Sequence, residues 1–125
     1  MIPYGRQDIN QDDIDAVVAV LHSNFLTQGP LVPVFERTVA DYCGAEHAVA
    51  VNSATSALHI ACSALGVGKG DIVWTTPVTF VASANCALYC GATVDFVDID
   101  PFTYNLSATR LAEKLERAEK NGTLP

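Results

Sequence analysis

The segment 52–56 (NSATS) has the composition of a phosphate-binding turn. It follows the apolar, β-branched stretch 47–51 and leads into a helical pattern, so backbone N–H groups at the helix start would be free to meet a ligand. These groups and the positive end of the helix dipole attract anions, and the hydroxyls of Ser53 and Thr55 add O–H donors. The pattern indicates a small anionic ligand, although a simple Ser or Asn N-cap has the same sequence.

A second segment, residues 76–80 (TPVTF), could contact the same ligand. It follows the predicted strand 71–75, and in an open parallel sheet ligands bind beyond the carboxyl ends of the strands. The Phe80 ring could stack on a flat cofactor ring, or it could be an ordinary core phenylalanine. The chain contains neither a P-loop nor a G-x-G-x-x-G sequence, which speaks against binding of ATP or a dinucleotide.

The lysines of the chain do not suggest a nucleophile. Lys69 lies in a Gly-rich turn, and Lys114 and Lys120 lie on the polar side of the last predicted helix. We expect all three to be solvated charges, whereas a nucleophilic lysine needs a buried site that lowers its pKa.

The histidines and cysteines fit structural roles better than metal-binding or catalytic ones. We predict structural roles for His22, His47 and His59. The cysteines form no C-x-x-C pair, and no histidine lies near the two that share a helical face, Cys86 and Cys90. We therefore expect buried free thiols at Cys43, Cys62, Cys86 and Cys90, with a zinc site or a disulfide as the alternatives.

Alternating helices and short apolar strands must hold these segments in place. Asn10 is predicted to cap a first helix that ends near residues 23–24, and a second helix with Val34 on its apolar side stops at Gly44. Three strand–helix pairs follow, with strands over 47–51, 71–75 and 93–98 and helices that begin near residues 57, 81 and 107. This order predicts an α/β fold with parallel neighbouring strands.

Length and composition favour one packed domain and exclude some function classes. The chain has 125 residues, of which half are hydrophobic, and its net charge of −7 argues against a nucleic-acid-binding protein. No apolar run approaches the roughly 20 residues of a membrane helix, and no signal peptide is evident, so we expect the cytosol. A three-stranded sheet with two open edges and a turn at 121–125 predict that the natural sequence continues, the alternative being a small complete domain.

Five ordered motifs resemble those of the DegT/DnrJ/EryC1/StrS sugar aminotransferases. They are residues 26–30 (LTQGP), 52–58 (NSATSAL), 68–71 (GKGD), 76–85 (TPVTFVASAN) and 91–100 (GATVDFVDID). Within the family, residues 2–7 and 80–90 look most like the transaminases of pseudaminic acid biosynthesis.

The resemblance implies that the chain is part of the large domain of a fold-type I aminotransferase that depends on pyridoxal 5′-phosphate (PLP), with a parallel-rich sheet flanked by helices. Residues 1–45 would supply N-terminal helices and a substrate loop, and residues 46–125 a βαβαβα segment.

The resemblance also implies which residues hold the cofactor. Ala54 and Thr55 would bind the PLP phosphate, with Ser53 and Ser56 beside them, and Phe80 would stack on the pyridine ring.

The substrates implied by the resemblance are glutamate and a UDP-linked 4-keto-6-deoxy-hexose, which receives the amino group at C4. Thr27, Gln28 and Gly29 would line the sugar-nucleotide site, and the full-length protein would be a homodimer with its active sites at the subunit interface. Family members bind PLP covalently through a lysine far downstream and hold its ring nitrogen with a downstream aspartate. This chain has no matching position, so we assign no catalytic residue and expect the 125 residues alone to be inactive.

Other functions remain open at this stage. A PLP-dependent sugar 3-dehydratase of the same family carries histidine in place of the lysine, at a position outside this sequence. A non-catalytic scaffold that binds a phosphate ligand, or a nucleotide-binding dehydrogenase domain, would belong to different classes, and the missing glycine fingerprint disfavours the dehydrogenase.

Overall fold

The computed structural model describes residues 5–124, so part of the likeness at residues 2–7 and the end of the predicted turn at 121–125 lie outside the described residues. The chain divides into two compact units, Met1–Ala50 and Val51–Pro125. No helix in the described range has the length and apolarity to span a bilayer.

The first unit begins with helix α1, Gln11–Leu21. Asn10 caps it as predicted: its side-chain oxygen accepts the Asp13 N–H at 3.2 Å, and the Asp13 carboxylate accepts the Asn10 N–H at 2.9 Å. This reciprocal pair satisfies two N–H groups that the helix itself leaves free. His22 ends the helix by donating its N–H to the Val18 carbonyl, in agreement with its predicted structural position.

Helix α2, Leu31–Cys43, begins three residues before Val34, the first member of the predicted apolar stripe. Pro30 precedes it with φ −64°, and Pro33 lies in the first turn, where the missing N–H costs no hydrogen bond. The helix ends as predicted at Gly44, which adopts the left-handed conformation with φ 64°.

The prediction of a strand over residues 47–51 is wrong. The segment has no regular secondary structure, and its Ala50 N–H is bound by the Glu36 carboxylate of α2 at 2.8 Å. A strand exists only where a neighbouring chain segment completes its ladder of hydrogen bonds. Neither strand of the described residues pairs with this segment, so His47 does not begin a strand either, and it lies exposed beside Glu46.

The second unit alternates helices and strands. Its elements are α3 (Ala54–Ala64), β1 (Ile72–Thr75), α4 (Ala82–Tyr89), β2 (Thr93–Phe96) and α5 (Ala108–Asn121). The two strands run parallel in a register that pairs Ile72 with Thr93 and Thr75 with Phe96. This arrangement confirms the predicted α/β class, because parallel neighbours require a crossover such as α4 between them.

Small side chains let α3 and α4 pack closely. Ala82, Cys86 and Ala87 of α4 are buried, and the rings of His59 and Tyr89 meet edge to face with centroids 5.3 Å apart. This contact gives His59 the structural role predicted for it.

All four cysteines are free, as predicted, but only one of them is fully buried. Cys86 is buried, Cys62 and Cys90 are partly buried, and Cys43 is exposed. Burial raises the pKa of the Cys62 thiol, and the neighbouring Cys86 and Cys90 thiols act in the same direction. The expectation of buried thiols is therefore wrong for Cys43, which lies on the last turn of α2.

Candidate functional site

The turn at residues 52–56 is ordered by its own side chains. Ser53 has an extended backbone (φ −163°, ψ 157°) and caps α3, because its Oγ accepts the Ser56 N–H at 3.2 Å. The Asn52 side-chain oxygen accepts the Ser56 hydroxyl at 2.7 Å and the Ser53 hydroxyl at 3.3 Å. Both serine hydroxyls are thus used inside the turn, which fixes its shape.

The backbone N–H groups of Ala54 and Thr55 are the donors that remain at this end of α3. They lie in the first helical turn, where an α-helix offers no carbonyl partner. Ala54 is exposed and Thr55 is partly exposed, so this end of α3 is open to an approaching anion. No carboxylate lies within residues 52–56 to oppose that charge. The turn therefore has the geometry of an anion-binding site at a helix N-terminus.

Phe80 is not a core residue, because 75% of it is exposed. It lies between the carboxyl end of β1 and the start of α4, after a bend at residues 77–79. Its carbonyl accepts the Ser83 N–H at 3.0 Å, which anchors the backbone while leaving the ring open to solvent. At the start of the same segment, the Thr76 hydroxyl is buried and has no hydrogen-bond partner among the described residues.

The two predicted cofactor-binding segments belong to the same unit. The turn at 52–56 starts α3, and the segment at 76–80 leads into α4, which packs against α3 through His59 and Tyr89. The open N-terminus of α3 and the exposed Phe80 ring, which precedes α4, therefore belong to two helices in direct contact and their flanking segments.

The predicted substrate loop lies in the first unit. Gln28 has a positive φ of 50°, and Gly29 follows it. A Cβ atom at residue 29 would lie 2.8 Å from the Phe25 Cβ atom, so only glycine fits there without a shift. Gln28 and Gly29 line a cavity of about 300 Å³ with largely apolar walls that include Phe25 and Leu26. Thr27 is exposed and is not among the residues that line this cavity.

Lys114 departs from the prediction of a solvated charge. Its side chain is only 22% exposed, forms an ion pair with Asp95, and donates to the Phe96 carbonyl at 2.7 Å. Its Nζ also lies 4.7 Å from the centre of the Trp74 ring. Lys69 and Lys120, in contrast, are exposed as predicted.

The sequence analysis did not predict this group of contacts around Lys114, which we call the Lys114 cluster. The hydrogen bond from Lys114 lowers the pKa of Asp95, and the Phe96 backbone N–H adds to that shift. Asp95 and Lys114 are 19 positions apart, a separation that corresponds to no local pairing rule. A paired lysine of this kind supports α5 on the sheet and does not qualify as a nucleophile.

The Asp98 and Asp100 carboxylates accept hydrogen bonds from backbone N–H groups of the loop that follows β2. The Asp98 carboxylate accepts the Ile99 N–H at 2.8 Å. The Asp100 carboxylate accepts the N–H groups of Phe102 and Thr103, each at 2.9 Å, and these bonds lower the pKa of Asp100. Within residues 5–124, no group of three or more His, Cys, Asp or Glu side chains could hold a metal ion.

Comparison with known sequences identifies the relatives of this chain. The sequence profile of the DegT/DnrJ/EryC1/StrS aminotransferase family matches residues 7–121. A UDP-4-amino-4,6-dideoxy-N-acetyl-beta-L-altrosamine transaminase from Campylobacter jejuni is 52% identical over 99 residues, which is 79% of this chain and 26% of that protein. GDP-perosamine synthase from Caulobacter vibrioides is 42% identical over 104 residues, 82% of this chain and 28% of that protein.

Solved structures share the fold of the chain. Spr1654 from Streptococcus pneumoniae in its PLP form superposes with a TM-score of 0.83 at 35% identity, over 90% of this chain and 29% of that one. An aminotransferase from Psychrobacter cryohalolentis gives a TM-score of 0.80 at 35% identity, over 89% of this chain and 29% of that one. The chain thus spans between a quarter and a third of the length of these relatives. On the matched profile and these identities, the chain belongs to the DegT/DnrJ/EryC1/StrS aminotransferase family.

Proposed function

We propose that the protein containing this chain transfers an amino group from glutamate to C4 of a UDP-linked 4-keto-6-deoxy-hexose, with PLP as cofactor, in the biosynthesis of pseudaminic acid or a related surface glycan. The observation that carries the proposal is that one unit of the chain holds both an open helix N-terminus, at Ala54 and Thr55, and an exposed aromatic ring, at Phe80. The Campylobacter jejuni relatives, whose names specify such a UDP-sugar transaminase, support the choice of substrate. The relative from Caulobacter vibrioides is named for a product linked to GDP and not to UDP. The identity of the nucleotide on the substrate therefore needs a direct test.

The residues of the turn fit the phosphate group of PLP. A phosphate dianion needs several N–H and O–H donors, and the free N–H groups of Ala54 and Thr55 and the Thr55 hydroxyl supply them. Ser53 would act as the cap that keeps the turn open, because its hydroxyl is already bonded inside the turn. The dipole of α3, 11 residues long, adds favourable potential at the same point.

The exposed Phe80 ring fits the flat pyridine ring. Stacking on one face would orient the cofactor and cover that face against water. When bound, PLP supplies the electron sink for amino transfer, and the residues of this chain bind and orient it. We assign none of Lys69, Lys114 and Lys120 to catalysis, and we expect no transamination by the 125 residues alone.

Thr27, Gln28 and Gly29 are proposed to line the sugar-nucleotide site. The positive φ of Gln28, and the lack of room for a Cβ atom at Gly29 beside Phe25, support this assignment, because unusual backbone conformations often occur at ligand-binding loops. We further propose that residues 1–45 supply this loop and the N-terminal helices, that residues 46–125 form part of the PLP-binding domain, and that the full-length protein is a cytosolic homodimer.

A titration with PLP and with inorganic phosphate tests the proposal on the gene product at its natural length. We expect Thr55→Val to weaken binding of both ligands by roughly tenfold, since one charge-assisted hydrogen bond is lost. Thr109→Val, at an exposed position of α5, is the matched control and is expected to leave both affinities unchanged.

Product analysis with a UDP-linked 4-keto-6-deoxy-hexose and glutamate then tests the reaction. A 4-amino sugar is the expected product, whereas loss of water at C3 would identify the family's sugar dehydratases. Phosphate binding without any change in the sugar would identify a non-catalytic binding or scaffold protein.

A further inference from the structure

An exposed aromatic ring binds a flat ligand well only if its backbone is held in place. Phe80 is 75% exposed and follows a bend at residues 77–79, so the ring makes few contacts that would restrain it. If the side chain is mobile before the ligand binds, binding must order it, and the conformational entropy lost in doing so lowers the affinity. A group in this segment that restrains residues 79–80 before the ligand binds would reduce this loss.

Ser83 makes two hydrogen bonds to this segment. Its backbone N–H donates to the Phe80 carbonyl at 3.0 Å. Its hydroxyl lies 3.0 Å from the Thr79 hydroxyl, one of the two acting as donor. Ser83 therefore holds residue 80 by its main chain and residue 79 by its side chain.

Ser83 itself is held in place by helix α4. Ser83 lies in the first turn of α4, between the buried Ala82 and the partly buried Ala84. The Val81 carbonyl accepts the N–H groups of both Ala84 and Asn85 at 3.0 Å, which closes the helix around this point. The Thr79–Ser83 hydroxyl contact thus ties a bend to a rigid helix.

We propose that Ser83 is a positioning residue for the Phe80 ring and, through that ring, for the pyridine ring of the cofactor. This inference depends on the proposed function, because it assigns Ser83 a part in the same cofactor site. It predicts that the Thr79–Ser83 contact affects binding of the ring and not binding of the phosphate. The phosphate donors belong to the turn at 52–56, whose hydrogen bonds do not include Ser83.

The test compares four forms of the full-length gene product: wild type, Ser83→Ala, Ser83→Thr and Ser63→Ala. Alanine is a good helix former, so Ser83→Ala is expected to fold. Ser83→Thr keeps the hydroxyl. Ser63→Ala is the matched control, since it also removes a serine hydroxyl with one side-chain contact, to the Cys90 sulfur at 3.5 Å, but does so outside the segment 76–83. The measurements are the dissociation constants for PLP and for inorganic phosphate, the circular dichroism induced in the PLP absorption band, and the urea unfolding midpoint.

For Ser83→Ala we expect a threefold to tenfold weaker affinity for PLP, the range that loss of one neutral hydrogen bond allows, and a reduced induced signal. Its affinity for inorganic phosphate is expected to change by less than twofold, and Ser83→Thr is expected to recover most of the PLP affinity. Thr79→Val should repeat the effect of Ser83→Ala from the other side of the contact.

Three results would overturn the inference. The first is a PLP affinity of Ser83→Ala equal to that of Ser63→Ala. The second is an equal loss of PLP and phosphate affinity, which would indicate general loosening of the unit. The third is a wild-type protein that binds phosphate but not PLP, which would also refute the proposed function. If wild type binds PLP and Ser83→Ala matches the control, only the role of Ser83 fails.

Discussion

Replacing Lys114 with methionine should destabilise the second unit by about 2 kcal/mol. Methionine keeps most of the aliphatic stem but removes the charge that contacts Asp95, Phe96 and Trp74. The half-exposed ion pair contributes up to about 1 kcal/mol. The hydrogen bond to the Phe96 carbonyl and the contact with the Trp74 ring contribute about 0.5–1 kcal/mol each.

Urea unfolding is a direct assay, because Trp74 is the single tryptophan of the chain and lies inside the cluster. With a slope near 2 kcal/mol per molar urea, a loss of about 2 kcal/mol lowers the unfolding midpoint by about 1 M. Lys120→Met is the matched control on the exposed side of α5, and a change of less than about 0.5 kcal/mol is expected there.

The pH dependence gives a second measure of the same interaction. Lys114 lowers the pKa of Asp95 below its ordinary value of 3.8, so folding is favoured when this carboxylate is charged. Its stabilising contribution is complete above that ordinary value and is lost as the pH falls through the lower folded-state pKa. Because Asp95 is 57% exposed, solvent screening limits this contribution to less than about 1 kcal/mol.

The difference in unfolding free energy between wild type and Lys114→Met should therefore become smaller as the pH falls below about 4 and through the lowered folded-state pKa of Asp95. Below that pKa, Asp95 is neutral in both proteins. Equal unfolding midpoints for Lys114→Met and Lys120→Met at neutral pH would refute the reasoning. So would a gap that stays constant through the acid range.

Three further substitutions test other parts of the structure. Asn10→Ala removes the cap of α1 and should cost about 1 kcal/mol in the free energy of unfolding, measured by thermal melting; an unchanged melting temperature would mean that the cap is frayed in solution. Gly44→Ala forces an alanine into the left-handed region at φ 64° with nothing within 4 Å of its Cβ, so a purely conformational cost of about 1 kcal/mol is expected by the same method, and a stabilised variant would contradict the assigned backbone. Gly29→Ala places a Cβ atom 2.8 Å from the Phe25 Cβ and should therefore weaken sugar-nucleotide binding, measured by calorimetry. An unchanged affinity would mean that this loop is not part of the substrate site.

Local signals in the sequence predicted most of the helices and both observed strands. The cap at Asn10 and the stop at Gly44 are short-range effects in which a side chain or a glycine acts on its own turn. Ser107 acts in the same way at the start of α5, where its Oγ accepts the Arg110 N–H at 3.3 Å. The turn at 52–56 belongs to the same class, because a Ser cap and a helix start are sufficient to define it.

The failed prediction at residues 47–51 has a different cause. Apolar, β-branched composition favours an extended backbone but does not supply a partner strand. The Ala50 N–H instead donates to the Glu36 carboxylate, 14 residues earlier in the chain. No local sequence pattern predicts this contact.

By itself, the sequence determined the family, the order of the helices and the position of the capped turn at 52–56, because these depend on motifs and on interactions within a few residues. Only the tertiary structure decided the state of individual side chains. It placed Phe80 in solvent, buried most of the Lys114 side chain against Asp95 and Trp74, and left Cys43 exposed. The physical reason is that burial and pairing depend on which distant surfaces meet, and that meeting is settled by packing of the whole unit and not by residue type or spacing.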